Sequence, residues 1–147
     1  MNLKRHIINN TGQQLGDEYH DSFVRFLSNK DTLNLLGIKP PYRAIGLEVK
    51  TSDSGRRKSD LIVLNHELSI IEAKVIRSLN PDRESVRIKQ MNNQLTSAYS
   101  FFKRKNINTQ ISLIGAYKKI NETSFSFYYL PPSGLSIDCL EIFKRSM

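Results

Sequence analysis

"SDLIVLNHELSIIEAKV", residues 59–75, decides how the rest of the chain is read. Two apolar runs, DLIVL and LSIIEAKV, flank the polar triplet Asn65-His66-Glu67. Short runs rich in Ile and Val, separated by a polar turn, read as a β-hairpin. Three charges interrupt strands that a core would want apolar: Asp60 opens the first, and Glu72 and Lys74 lie inside the second. Side chains alternate faces along a strand, so Glu72 and Lys74 share one face and Ala73 takes the other. A three-residue loop pairs Leu64 with Leu68, Ile62 with Ile70, and Asp60 with Glu72. Opposed residues share a face, with Cβ atoms about 4.5–5.5 Å apart. A loop of even length would separate the two carboxylates, so the reading commits to the three-residue form.

Working outward, "YRAIGLEVK" (42–50) reads as a further strand and "TSDSGRRKS" (51–59) as a polar turn. Gln13 to about Ser28 reads as a helix whose apolar face is Leu15, Tyr19, Phe23, Phe26 and Leu27, with Thr11 and Gln14 as a weak capping box. Residues 29–41 are irregular or briefly helical, ending at Gly37 and "KPP". On the other side, Asn80 suits an N-cap, Pro81 the first helical position, and Asp82 and Glu84 the positive pole. That helix runs to about Lys105 on a stripe of Ile88, Met91, Leu95, Ala98 and Phe102. "ISLIGAY" (111–117) and "SFSFYYL" (124–130) are strands, and Leu135 to Arg145 is expected as a last helix. The expected order is αβββαββα: one α/β domain over residues 1–147 with a mixed sheet flanked by helices.

Composition agrees with a globular chain, at 39% hydrophobic and 24% charged residues. No apolar run approaches the ~20 residues of a bilayer span, so no membrane partner is expected. The N-terminus does not read as a signal peptide. A single cysteine, Cys139, excludes an internal disulfide and a multi-cysteine zinc site, and in an apolar helix it reads as core. A reducing, cytoplasmic setting in a prokaryotic or phage-infected cell follows as the expectation. Lys and Arg number 22 against 14 Asp and Glu, a net +8, which points to a polyanionic partner, nucleic acid above all.

Two carboxylates at hairpin distance repel and raise each other's pKa, so a cation must hold them. Lys74 is one candidate. A divalent metal is the better one, because hard oxygen ligands at this separation suit Mg²⁺. The backbone carbonyl of Ala73 adds a further ligand. Lys74 is then placed to orient or deprotonate a water, or to stabilise an oxyanion. The bland alternative is a surface Glu72–Lys74 ion pair with Asp60 as a turn residue. "EVK" at 48–50 shows how common the bare tripeptide is, but no carboxylate-opened strand precedes it.

This pattern, "SD" followed by "EAK" on the adjacent strand, resembles the PD-(D/E)XK nuclease superfamily, and helix–three strands–helix–strand over about residues 13–117 resembles its common core. A C-terminal strand and helix (124–146) would extend it. Ser59 stands where the motif name has proline. The resemblance implies a restriction-endonuclease-like fold and a metal-dependent phosphodiesterase using Mg²⁺ or Mn²⁺. Asp60, Glu72 and Lys74 would be its catalytic positions, with Asp60, Glu72 and Ala73 holding the metal. It further implies a metal-reaching glutamate on the first helix, for which Glu18 is preferred over Asp17 and Asp21. On the helix after the lysine it implies a catalytic glutamine: "QLTSAY" supplies Gln94, with Gln90 one turn earlier. Arg56, Arg57 and Lys58, just before Asp60, suit phosphate contacts.

His20 and His66 show no metal-ligand spacing and read as a helix-surface and a turn residue. The expected activity is hydrolysis of phosphodiester bonds by a metal-activated water. A DNA endonuclease of junction-resolvase-like or small phage type fits the size, with homodimerisation as one way to cut two strands. The alternatives are an RNA-cleaving small nuclease and a non-catalytic nucleic-acid-binding or interaction protein with the same fold.

Overall fold

The computed structural model describes residues 18–77, 81–131 and 141–147. Helix α1 covers 18–28, and α2 is Lys30–Leu35. Asn29 separates them: its extended backbone (ψ 138) breaks α1, and its side chain accepts the Asp31 amide at 3.0 Å to start α2. Three strands follow: β1 (Ala44–Lys50), β2 (Lys58–Leu64) and β3 (Leu68–Ile76). Helix α3 (Pro81–Arg104) begins on the proline whose fixed φ suits the first helical position. Strands β4 (Ile111–Lys119), β5 (Ser124–Leu130) and β6 (Ile142–Ser146) complete the chain. No helix among the described residues is long and apolar enough to cross a membrane.

All six strands form one sheet in the order β1-β2-β3-β4-β5-β6. Every neighbouring pair is antiparallel except β3 and β4, which run parallel because α3 returns the chain across the sheet. The sheet is therefore mixed, as expected. One face packs against α1 and α2 through Phe23, Val24, Leu27 and Leu33 on Leu61, Val63, Ile71, Ile114 and Phe125. The other packs against α3, where Ile88, Met91, Leu95 and Ala98 cover Ile62, Ile70, Leu113 and Tyr128. The expected α3 stripe is thus the buried one.

Two expectations need correction. The chain does not end in the helix expected at Leu135–Arg145. Residues 142–146 form β6, with Phe143 paired to Phe127 and their rings stacked at 5.2 Å. Cys139 and the first part of that expected helix lie outside the described residues. Ile142 and Phe143 favour a strand, and a distant partner in β5 decides the outcome. The element order therefore gains α2 and a sixth strand relative to αβββαββα. The apolar face of α1 is borne out at Phe23, Phe26 and Leu27 and corrected at Tyr19, which is 44% exposed; Val24 and the half-buried His20 join the inner face, and Leu15 lies outside the described residues.

The row across the sheet at Glu72 is tightly determined. Glu72 pairs with Gly115, and Gly115 with Tyr128, so all three face α3. A Cβ on Gly115 would lie 2.2 Å from the Tyr128 ring carbon Cζ. That ring is fully buried, and its hydroxyl donates to Asn92 Oδ1 at 2.6 Å. Gly115→Ala should therefore force the ring aside and cost about 2 kcal/mol. Thermal unfolding should report a fall of about 6 °C; an unchanged melting temperature would show that the ring has room to move.

Candidate active site

The site begins where the hairpin opens. The turn at 65–67 has three residues: the Asn65 amide donates to the Glu67 carbonyl at 3.0 Å, and the Glu67 amide donates to Asn65 Oδ1 at 2.9 Å. The ladder then runs from Leu64↔Leu68 to Leu61↔Ile71, the register required for Asp60 to meet Glu72. At Asp60 the main-chain ladder gives way to a side chain. Asp60 Oδ2 accepts the Ala73 amide at 2.9 Å, taking the place of a strand carbonyl. The carboxylate thus sits in the sheet itself and reaches both faces.

On one face it meets α1. His20 Nε2 lies 3.3 Å from Asp60 Oδ1. The hydrogen bond to Asp60 raises the His20 pKa above its ordinary value; burial and Lys74 oppose this, while the Asp60 and Asp21 charges reinforce it. On the other face Glu72 is 2% exposed. Burial first, then the Asp60 charge and a hydrogen bond with Asp60, push Glu72 up to about 9. Asp60 moves the opposite way. Burial works to raise it, but the His20 hydrogen bond, the Ala73 amide and the His20 charge together hold it below the usual carboxylate range. The two carboxyl groups are thus driven apart, Glu72 toward its protonated form and Asp60 toward its ionised one, with His20 facing Asp60 from the other side.

Lys74 is half-buried and lies two residues beyond Glu72 on the same face. It is near enough to lower the pKa of both Glu72 and His20, so three of the four expected catalytic positions, Asp60, Glu72 and Lys74, are brought together. Ser59, buried beside them, opposes the Glu72 shift through its hydroxyl. That hydroxyl nevertheless finds no partner at hydrogen-bond geometry. Proximity without a formed bond accounts for both observations.

Two residues at the site escape the sequence reading. His20 continues the buried stripe one turn before Phe23 and Val24, which is the signal that could have found it. Glu48, dismissed as part of the common tripeptide, falls opposite Asp60 between the Leu47↔Leu61 and Val49↔Ser59 pairs. Its φ of 50° is unusual for a residue with a side chain. Glu48, Asp60, His20, Asp21 and Arg25 line one cavity of about 200 Å³. His66 is an exposed turn residue, as expected.

The supporting positions divide. Gln94 joins Arg56, Arg57 and Lys58 at a second cavity, of about 430 Å³. Gln90 lies outside that cavity and accepts from Arg87 at 3.1 Å. Glu18 is exposed and forms no hydrogen bond or ion pair among the described residues, so nothing ties it to Asp60. Asp17 lies outside the described residues.

Among the described residues, no three His, Cys, Asp or Glu side chains are arranged to hold a metal ion. The donors that do converge are hard oxygens: the two carboxyl groups and the orphaned Ser59 hydroxyl. Mg²⁺ commonly uses only one or two carboxylates and completes its shell with water and substrate phosphate. The set fits such an ion and does not fit a closed all-protein cage. No protein-family model matches the chain, and searches of curated proteins and of solved structures returned no match.

Proposed function

We propose that the protein is a divalent-metal-dependent nuclease that hydrolyses phosphodiester bonds in nucleic acid, with DNA as the first substrate to test. One observation carries the reading: the Asp60 carboxylate stands in for a strand carbonyl at the end of the β2–β3 ladder, opposite the buried Glu72, with Lys74 two residues along the same face. Buried like charges are costly, and such perturbed pairs concentrate at functional sites. Asp60, Glu72 and the Ala73 carbonyl would hold Mg²⁺ or Mn²⁺. When bound, the ion would polarise the phosphate and ease deprotonation of water.

The remaining roles belong to the chain. His20 keeps Asp60 ionised and oriented. Lys74 faces the negative charge that develops on the phosphate and can pass a proton. Gln94, Arg56, Arg57 and Lys58 position the strand. The reaction forms a bond from the water oxygen to phosphorus and breaks the bond to O3′, which takes up a proton. Homodimerisation, with one site for each strand, fits this reading. The His20–Asp60 contact supports a second reading, in which an internal cation replaces the metal and the protein binds nucleic acid without cutting it.

Labelled duplex, junction and single-stranded DNA, and RNA, incubated with Mg²⁺ or Mn²⁺, separate the two. Cleavage of at least one substrate that stops with chelator is expected. Binding with no cleavage of any substrate would transfer the site to the second reading.

A further inference from the structure

The cavity between the 51–58 turn and α3 has the size and lining of a ligand site in its own right. It holds about 430 Å³, near the lower end for small-molecule pockets. Arg56, Arg57 and Lys58 line one side, and Asn93, Gln94 and Ser97 of α3 line the other. None of its lining residues is acidic, so its cations are not neutralised within it. The one acid of the turn, Asp53, is already paired with Lys105 at 2.8 Å.

The turn is built rather than loose. The Thr51 amide donates to the Arg57 carbonyl at 2.9 Å, and the Gly55 amide to the Ser52 carbonyl at 3.1 Å. The Arg57 amide donates to Ser52 Oγ at 3.1 Å. Gly55 has φ 72°, a conformation that a side chain would strain. Arg57 also donates through its guanidinium to Ser97 Oγ, which fixes the cation and leaves its other N–H groups free to bond an anion.

We propose that this cavity binds a single unpaired nucleotide, its phosphate on Arg56, Arg57 and Lys58 and its base against the amides of Asn93 and Gln94. The inference rests on the nuclease reading and deepens it. Lys58 lies two residues before Asp60 on β2, about 7 Å at strand rise. A nucleotide held there is the neighbour of the bond presented to Asp60 and Glu72. An amide side chain offers both donor and acceptor to a base edge. A cavity of this volume admits one nucleotide and not a base pair with both its strands. The substrate class is therefore nucleic acid with an unpaired or flipped-out nucleotide beside the cut, such as a single strand, a flap or a junction, in preference to intact duplex.

Calorimetric titration of the full chain in chelator, with dAMP, deoxyadenosine and inorganic phosphate, tests this without any cleavage step. dAMP should bind at one site, about tenfold or more tighter than either fragment. Arg57→Ala, and separately Arg56→Ala, should weaken it by about tenfold, because each removes a charge-assisted phosphate contact. Gln94→Ala should narrow the gap between dAMP and phosphate. dAMP binding no tighter than inorganic phosphate, or untouched by both arginine substitutions in a folded protein, would reduce the cavity to basic surface. Lys74-dependent cleavage without dAMP binding would overturn this inference alone. dAMP binding with no cleavage of any substrate would leave it standing and remove the nuclease reading.

Discussion

Lys74→Ala should lower the cleavage rate by about 10³ while leaving the fold intact. Positioned proton transfer contributes roughly 10²–10⁴, and a single oxyanion-stabilising donor about 10²–10³. Lys74 is half-buried and makes no direct ion pair among the described residues, so the structure does not lean on it. Its charge is felt by Glu72 and by His20, which places it beside the carboxyl pair. Truncation therefore removes an ammonium from the reacting region and little else. Single-turnover cleavage with Mn²⁺, beside a thermal melt, separates chemistry from folding. Wild-type rates in the variant would make Lys74 a solvated strand residue and deprive the site of its cationic member.

Glu72→Gln should abolish cleavage and yet stabilise the metal-free protein at alkaline pH. The Glu72 carboxyl is pushed up to about 9 in the fold, against an ordinary value of 4.5. Between those values the folded state holds a proton that the unfolded state has lost. Stability from this group is thus complete below the unfolded value and drains away as pH rises toward the folded one. One such proton is worth about 1.4 kcal/mol per pH unit. From pH 6 to 8 the wild type should lose up to ~3 kcal/mol, or about 8 °C in melting temperature. His20, whose pKa is also raised, adds to the loss in the same direction just above its ordinary value. Asp60, held low, contributes stability that disappears only in acid. Glutamine keeps the shape and cannot ionise, so the slope should flatten. Differential scanning calorimetry in chelator at the two pH values measures it, and equal slopes in both proteins would show that Glu72 is not the titrating group.

The hairpin was legible because its information is local. A three-residue turn sets the parity, and parity alone brings Asp60 to Glu72. The α3 stripe was legible for a similar reason: Ile88, Met91, Leu95 and Ala98 carry a helical period over several turns. Elsewhere the signal was ambiguous. Tyr19 counts as apolar and His20 does not, so Tyr19 was placed on the inner face of α1 beside Phe23, Phe26 and Leu27, and the histidine that touches Asp60 was passed over. Glu48 was dismissed by its local setting, but its place is decided by pairing with β2. In β6, five residues are too few to show a period, and the helical reading upstream was carried through Ile142. What placed Phe143 was the Phe127 ring, which no local pattern contains.

The row Glu72–Gly115–Tyr128 has a temporal side. A tight hairpin closes a local loop, whereas the pairing of β4 with β3 closes one across the whole of α3, and non-local pairings form more slowly. The row that shuts Glu72 away from water thus includes the strand pairing with the longest sequence separation among the described residues.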